Sequence, residues 1–133
     1  MLVVDASVIT DLLLGRPSAP RIEAHLVDHS FDLHAPHLLD VEVLGALRRL
    51  VASGEAPAAR AEDAIADLAD IPIERYPHQM LLGRACGNLS VYDAVYLALA
   101  EALSDQETPL LTTDVRFARS ARKHGDTAVV LVD

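Results

Sequence analysis

The sequence holds a single cysteine, Cys86, so no disulfide can form within the chain, and a reducing, cytoplasmic setting is expected. Cys86 itself reads as a small buried apolar residue. No apolar stretch approaches the roughly 18 uninterrupted residues of a membrane-spanning helix. Charges interrupt every run, so a hydrophobic content of 51% points to a packed core and excludes both a membrane span and a disordered chain. The opening residues, Met1-Leu2-Val3-Val4-Asp5, have no basic segment leading into an apolar one, and read as a strand rather than a secretion signal. Repeats, low-complexity tracts and linkers are also missing, and 133 residues suit one domain covering 1–133. Positive charge is scarce as well. The 11 basic residues (ten arginines and Lys123) face 20 acids, for a net charge of −9. That balance disfavours nucleic acid unless a cation offsets part of the negative charge and arginines frame the site.

What is present is an alternation of short apolar runs and helical stretches. Strands are expected at Leu2–Asp5, Phe31–Ala35, Ile71–Arg75, Leu110–Thr112 and Ala128–Val132. Pro72 puts the third of these at an edge or a strand start. Helices are expected at Ser7–Leu14, Pro20–Val27, Leu38–Ala52, Ala58–Leu68, His78–Ala85, from Ser90 to about Leu103, and Val115–Lys123. Gly87-Asn88 should break the fifth helix, and Ser90 should cap the next. The strands are continuous apolar runs, as parallel strands covered on both faces require. The order implies a three-layer α/β/α sandwich around a central parallel sheet of about five strands, with ligand sites beyond the strands' carboxyl ends.

Four acids stand in apolar surroundings: Asp5, Glu42, Asp93 and Asp114. Burying a carboxylate costs several kcal/mol, in order of magnitude, unless it is paired or bound to a cation. Taken singly, Asp5, Asp93 and Asp114 are better explained as helix caps or first-turn acids. Glu42 is not, because its neighbours at helical spacing, Leu38, Leu39, Gly45 and Ala46, are apolar or small and it is not at the helix start. Asp40, closer to that start, can serve the helix dipole, and Asp11, Asp63, Asp67 and Asp70 read as solvated. Two carboxylates about 4 Å apart repel by roughly 4 kcal/mol at an effective dielectric of 20. Four together would take up protons or bind a cation, and hard oxygen donors suit Mg²⁺ or Mn²⁺. His25 and His29 have zinc-pair spacing without a third ligand, and read as surface residues. Ser7 and Thr112 either orient a ligating carboxylate or metal-bound water, or make routine cap and strand-end bonds. Arg116, Arg119 and Arg122 follow Asp114 at three-residue intervals, and Arg48 and Arg49 follow Glu42. Both groups suit phosphate binding or simply a solvated helix end.

Four segments carry a resemblance: Val3-Val4-Asp5-Ala6-Ser7, then Pro36 through Arg49 with Glu42 at its centre, then Leu89-Ser90-Val91-Tyr92-Asp93-Ala94 through Ala100, and Pro109-Leu110-Leu111-Thr112-Thr113-Asp114. In this order and spacing the chain resembles the PIN-domain nucleases, and among them the VapC toxins of bacterial toxin–antitoxin pairs. The resemblance implies that Asp5, Glu42, Asp93 and Asp114 form an acidic metal-binding quartet, with Thr112 as an accompanying hydroxyl. It further implies an Mg²⁺- or Mn²⁺-dependent RNA endonuclease, a homodimer, and neutralisation by a cognate VapB antitoxin. Apart from the resemblance, the first two helices are the expected surface for that contact. Gly45 departs from the family pattern, in which a polar residue, often Asn, is common.

Two other classes compete. A phosphoacceptor receiver module needs a lysine at a strand end, whereas Lys123 falls on a helix. A catalytically idle α/β binding partner would keep the acids only as caps.

Overall fold

The structure, a computed structural model, describes residues 1–85, 89–103, 108–124 and 127–133. Cys86 and the expected helix break at Gly87-Asn88 lie outside these residues. Five strands, β1 (Leu2–Val4), β2 (Leu33–Pro36), β3 (Ile73–Tyr76), β4 (Leu110–Thr112) and β5 (Val129–Leu131), form one sheet in the order β3-β2-β1-β4-β5. Every pairing is parallel, with Leu2 beside Leu33, Val3 beside Leu110 and Leu110 beside Val129. The helices among the described residues are α1 (Ala6–Leu14), α2 (Ala19–Asp28), α3 (Leu38–Ala52), α4 (Ala58–Asp70), α5 (Val91–Ala102) and α6 (Val115–His124). α1 touches α2, α3 and α4, whereas α5 touches α6. The sheet is therefore the middle layer of the expected sandwich.

Leu2, Val3, Val4, Leu110 and Leu111 are wholly buried, as central parallel strands must be when helices cover both faces. Chain order decides where a ligand fits. The chain runs outward from β1 to β2 and β3, returns across the sheet through α5, and then builds β4 and β5 on the other flank. The reversal between β1 and β4 opens a crevice beyond their carboxyl ends. Asp5 and Asp114 lie just past those ends.

Element boundaries follow local chemistry. α1 stops at Gly15, whose φ of 62° is the left-handed conformation that glycine adopts without a Cβ penalty, and its N–H donates to Asp11 and Leu12. The second strand starts at Leu33 and not at the expected Phe31, because Ser30 and Phe31 turn the chain with φ of 56° and 55°. β3 starts after Pro72 and is an edge strand, which suits a residue without an N–H. The expected helix His78–Ala85 is only a 3-10 turn, His78–Leu81. Leu81 is buried there while Met80 and Leu82 are exposed, so no apolar stripe supports further turns. His34 is buried in β2, between the Tyr76 hydroxyl and Asp32, each at 2.8 Å.

Asp40 does more than serve the helix dipole. Arg75 of β3 grips its carboxylate with two bonds, Nε to Oδ2 at 2.8 Å and Nη2 to Oδ1 at 2.9 Å, fixing the start of α3 to the sheet edge. Asp40→Asn should lower the unfolding free energy by about 1 kcal/mol in low-salt urea titrations. The loss should shrink at high salt, where partly exposed charges are screened.

Candidate active site

Asp5 is where β1 hands over to α1. Its backbone is extended (φ −93°, ψ 173°), which leaves the side chain free to accept the Val8 N–H at 3.1 Å and cap α1. The Ser7 hydroxyl donates to the same oxygen, Oδ1, at 2.6 Å, and the Thr112 hydroxyl donates to Oδ2 at 2.6 Å. Each hydroxyl also accepts, Ser7 from the Thr113 N–H and Thr112 from the Asp114 N–H, both at 3.0 Å. The two readings of these hydroxyls therefore hold together, since strand-end bonding is the means by which they orient the carboxylate. Burial pushes Asp5 up to about 6, against the hydrogen bonds from Ser7, Thr112 and Val8, and the charge of Asp114 adds to the rise.

Asp5, Glu42, Asp93 and Asp114 all line one cleft of about 650 Å³. Only Asp5 is buried; Glu42 and Asp93 are half-buried, and Asp114 is exposed at the rim. Asp114 caps α6 through Oδ1, which accepts the N–H groups of Arg116 at 2.8 Å and Phe117 at 3.1 Å. Asp93 sits in the first turn of α5, its N–H held by the Ser90 hydroxyl at 3.2 Å, as a capping serine should do. Glu42 accepts the Tyr96 hydroxyl at 2.7 Å through Oε2. Desolvation raises Glu42, opposed by that bond and reinforced by Asp93. It raises Asp93 as well, against the Ser90 hydroxyl, with Asp114 reinforcing the rise. Three of the acids thus act as caps or first-turn residues and still share the cleft with the fourth.

The set fits a hard divalent cation by its chemistry. Its donors are carboxylate and hydroxyl oxygens, and none of the four acids is within ion-pair distance of a basic group among the described residues. As they stand, no three of the described His, Cys, Asp and Glu side chains are grouped as ligands of one ion. Mg²⁺ characteristically keeps several waters and uses one or two carboxylates, so such spacing is compatible with it.

The PIN domain family model matches residues 2–123 of the chain. Ribonuclease VapC1 of Mycobacterium tuberculosis is 41% identical over 120 residues, covering 87% of each protein. This chain belongs to the PIN-domain family of VapC ribonucleases. Ribonuclease VapC9 of the same species is 36% identical over 133 residues, covering 98% of each. The crystal structure of PAE2754 from Pyrobaculum aerophilum shares the fold, with a TM-score of 0.65 and 23% identity over 96% of this chain and 81% of that one.

In this VapC-family chain several cleft residues escape a reading by sequence. Tyr96 looks like one more apolar helix residue, yet its hydroxyl anchors Glu42. Arg16 lines the cleft, and so does Arg49 of the pair named after Glu42, whereas Arg116 and Arg119 are exposed on α6 and Arg122 donates to the Val129 carbonyl at 3.0 Å. Asp11, expected to be solvated, is half-buried, lines the cleft and accepts the Ser18 hydroxyl at 2.8 Å. His25 and His29 are half-buried at the surface, the His29 ring lying 2.8 Å from the His25 carbonyl. The Thr10 hydroxyl is buried at the cleft wall with no partner among the described residues. Lys123 lies on α6, as expected.

Protonated Asp5 stabilises the fold. Because its pKa rises on folding from 3.8 to about 6, that stabilisation is complete below pH 3.8 and is lost as pH climbs through about 6. Metal-free wild type should therefore lose thermal stability relative to Asp5→Asn between about pH 4 and pH 7. Parallel melting curves in chelator would check this, and equal slopes would contradict it.

Proposed function

We propose that the chain, as one domain of residues 1–133, is a divalent-metal-dependent endoribonuclease and the toxin of a VapBC-type pair. The observation that carries this reading is the convergence of Asp5, Glu42, Asp93 and Asp114 on one cleft, in a chain alike over most of its length to VapC ribonucleases. Asp5, Glu42, Asp93 and Asp114 would hold Mg²⁺ or Mn²⁺. When bound, the cation supplies positive charge that acidifies water and offsets charge building on the phosphate.

The protein's own part is orientation. Asp5 is fixed through both oxygens, so its negative charge points in one direction before any ligand arrives. Asp114 spends Oδ1 on the α6 cap and Glu42 spends Oε2 on Tyr96, which leaves Asp114 Oδ2 and Glu42 Oε1 for ligand. Burial and the Glu42 charge push the Tyr96 phenol far above its ordinary range, so it remains a donor at any working pH. With water as the nucleophile, in-line attack leaves a 5′-phosphate and a 3′-hydroxyl, and the RNA 2′-hydroxyl takes no part.

The proposed partners are RNA as substrate, a second copy of the chain, and a VapB-like antitoxin docking on α1 and α2, where Val27 is exposed on α2 and Phe31 just beyond its end. The setting proposed is cytoplasmic. No helix among the described residues is long and apolar enough to cross a membrane.

Asp5→Asn and Asp93→Asn should abolish RNA cleavage in Mg²⁺ or Mn²⁺ without unfolding the protein, as measured by sequencing RNA ends after brief expression. Cleavage by Asp5→Asn at the wild-type rate would sink the reading. Thr112→Val removes one of the two hydroxyls that hold Asp5 and should weaken Mn²⁺ binding about 10- to 100-fold. The shift in melting temperature with Mn²⁺ concentration measures that loss.

A further inference from the structure

Among the described residues, Tyr92 is the one exposed aromatic ring that lines the cleft. It lies in the first turn of α5, beside Asp93, and is 58% exposed. Large apolar rings are usually withdrawn from water, as Tyr96 one helical turn later is. Tyr96 uses its hydroxyl to hold Glu42, whereas Tyr92 makes no hydrogen bond among the described residues. Packing and capping therefore leave its exposed ring unexplained.

A second feature of the same cleft is cationic. Arg49 lines it from α3, and its side chain makes no ion pair or hydrogen bond among the described residues. Its Nη1 lies 3.5 Å from where a Cβ on Gly45 would sit, so the side chain folds back along α3 by one turn, over the glycine and towards Glu42. Arg49 is near enough to lower Glu42 in part, but it is not paired with it. A guanidinium held beside an anionic cleft without a partner suits an anion that is brought by the substrate.

We propose that Tyr92 and Arg49 form a nucleotide clamp at the cleft mouth. The Tyr92 ring stacks against a base next to the scissile phosphate, and Arg49 takes a neighbouring phosphate. The assignment rests on the proposed function and extends it to an unpaired segment of RNA, because a base must be unstacked from its neighbours to lie on a side-chain ring. It also shows how a chain of net charge −9 can accept a polyanion, through one ring and one guanidinium and not through a broad basic face.

The test uses short, end-labelled, single-stranded RNA of mixed sequence and the full-length protein. In the Asp5→Asn background, adding Tyr92→Ala or Arg49→Ala should raise Kd about 10- to 100-fold, while Tyr92→Phe keeps the affinity. With active protein the same changes should appear in KM, with kcat nearly unchanged. The chain has no tryptophan, so Tyr92→Trp introduces a single indole whose emission should be quenched when RNA binds. If wild type cuts RNA and both alanine variants keep the wild-type KM and Kd, the clamp is overturned and the nuclease reading stands. If wild type neither binds nor cuts RNA in Mg²⁺ or Mn²⁺, the nuclease reading falls and takes the clamp with it.

Discussion

A buried carboxylate clasped by two hydroxyls joins the two halves of this molecule. The order in which the chain adds strands reverses between β1 and β4, and at that seam the backbone has left its ladder and must find other partners. Asp5 supplies them on one side, accepting Ser7 and the Val8 N–H through one oxygen and Thr112 through the other. Ser7 and Thr112 then satisfy the N–H groups of Thr113 and Asp114 across the seam. The same six groups close the crevice floor, start α1 and aim the deepest acid. A neutral side chain could complete some of these bonds; only a carboxylate completes them while leaving net negative charge at the bottom of the cleft.

That arrangement explains why capping a helix and lining the cleft are not rival roles here. A parallel sheet gathers helix N-termini at one edge, and acids placed there are favoured by free N–H groups whatever else they do. Asp5 and Asp114 receive such bonds, and Asp93 lies in a first turn. Glu42 has no such support and takes a phenol instead. The fold thus offers the cleft three acids at modest energetic cost, and the fourth relies on one specific side chain.

The architecture was legible in the residues because it depends on patterns that survive without tertiary knowledge. Apolar runs such as Leu2-Val3-Val4 and Leu110-Leu111 identify covered parallel strands, and Gly15, Pro72 and Ser90 mark boundaries by backbone chemistry. The acids were legible for a related reason, since Glu42 contradicts its own helix face. What escaped depends on which side chains meet across the sheet. Nothing within α5 distinguishes Tyr96 from the apolar residues around it, and Arg49 differs from Arg48 only by one position of helical rotation. Asp40 and Arg75 are 35 residues apart, and only the pairing of β2 with β3 brings the second beside the first. The segment from His78 failed as a helix because its apolar residues have no shared surface to cover.

The grip of Arg75 on Asp40 also sets a mechanical relation. α3 is bolted to the outermost strand at one residue and delivers Glu42 two residues further on. The placement of Glu42 therefore depends on an ion pair made outside the cleft, at the margin of the sheet.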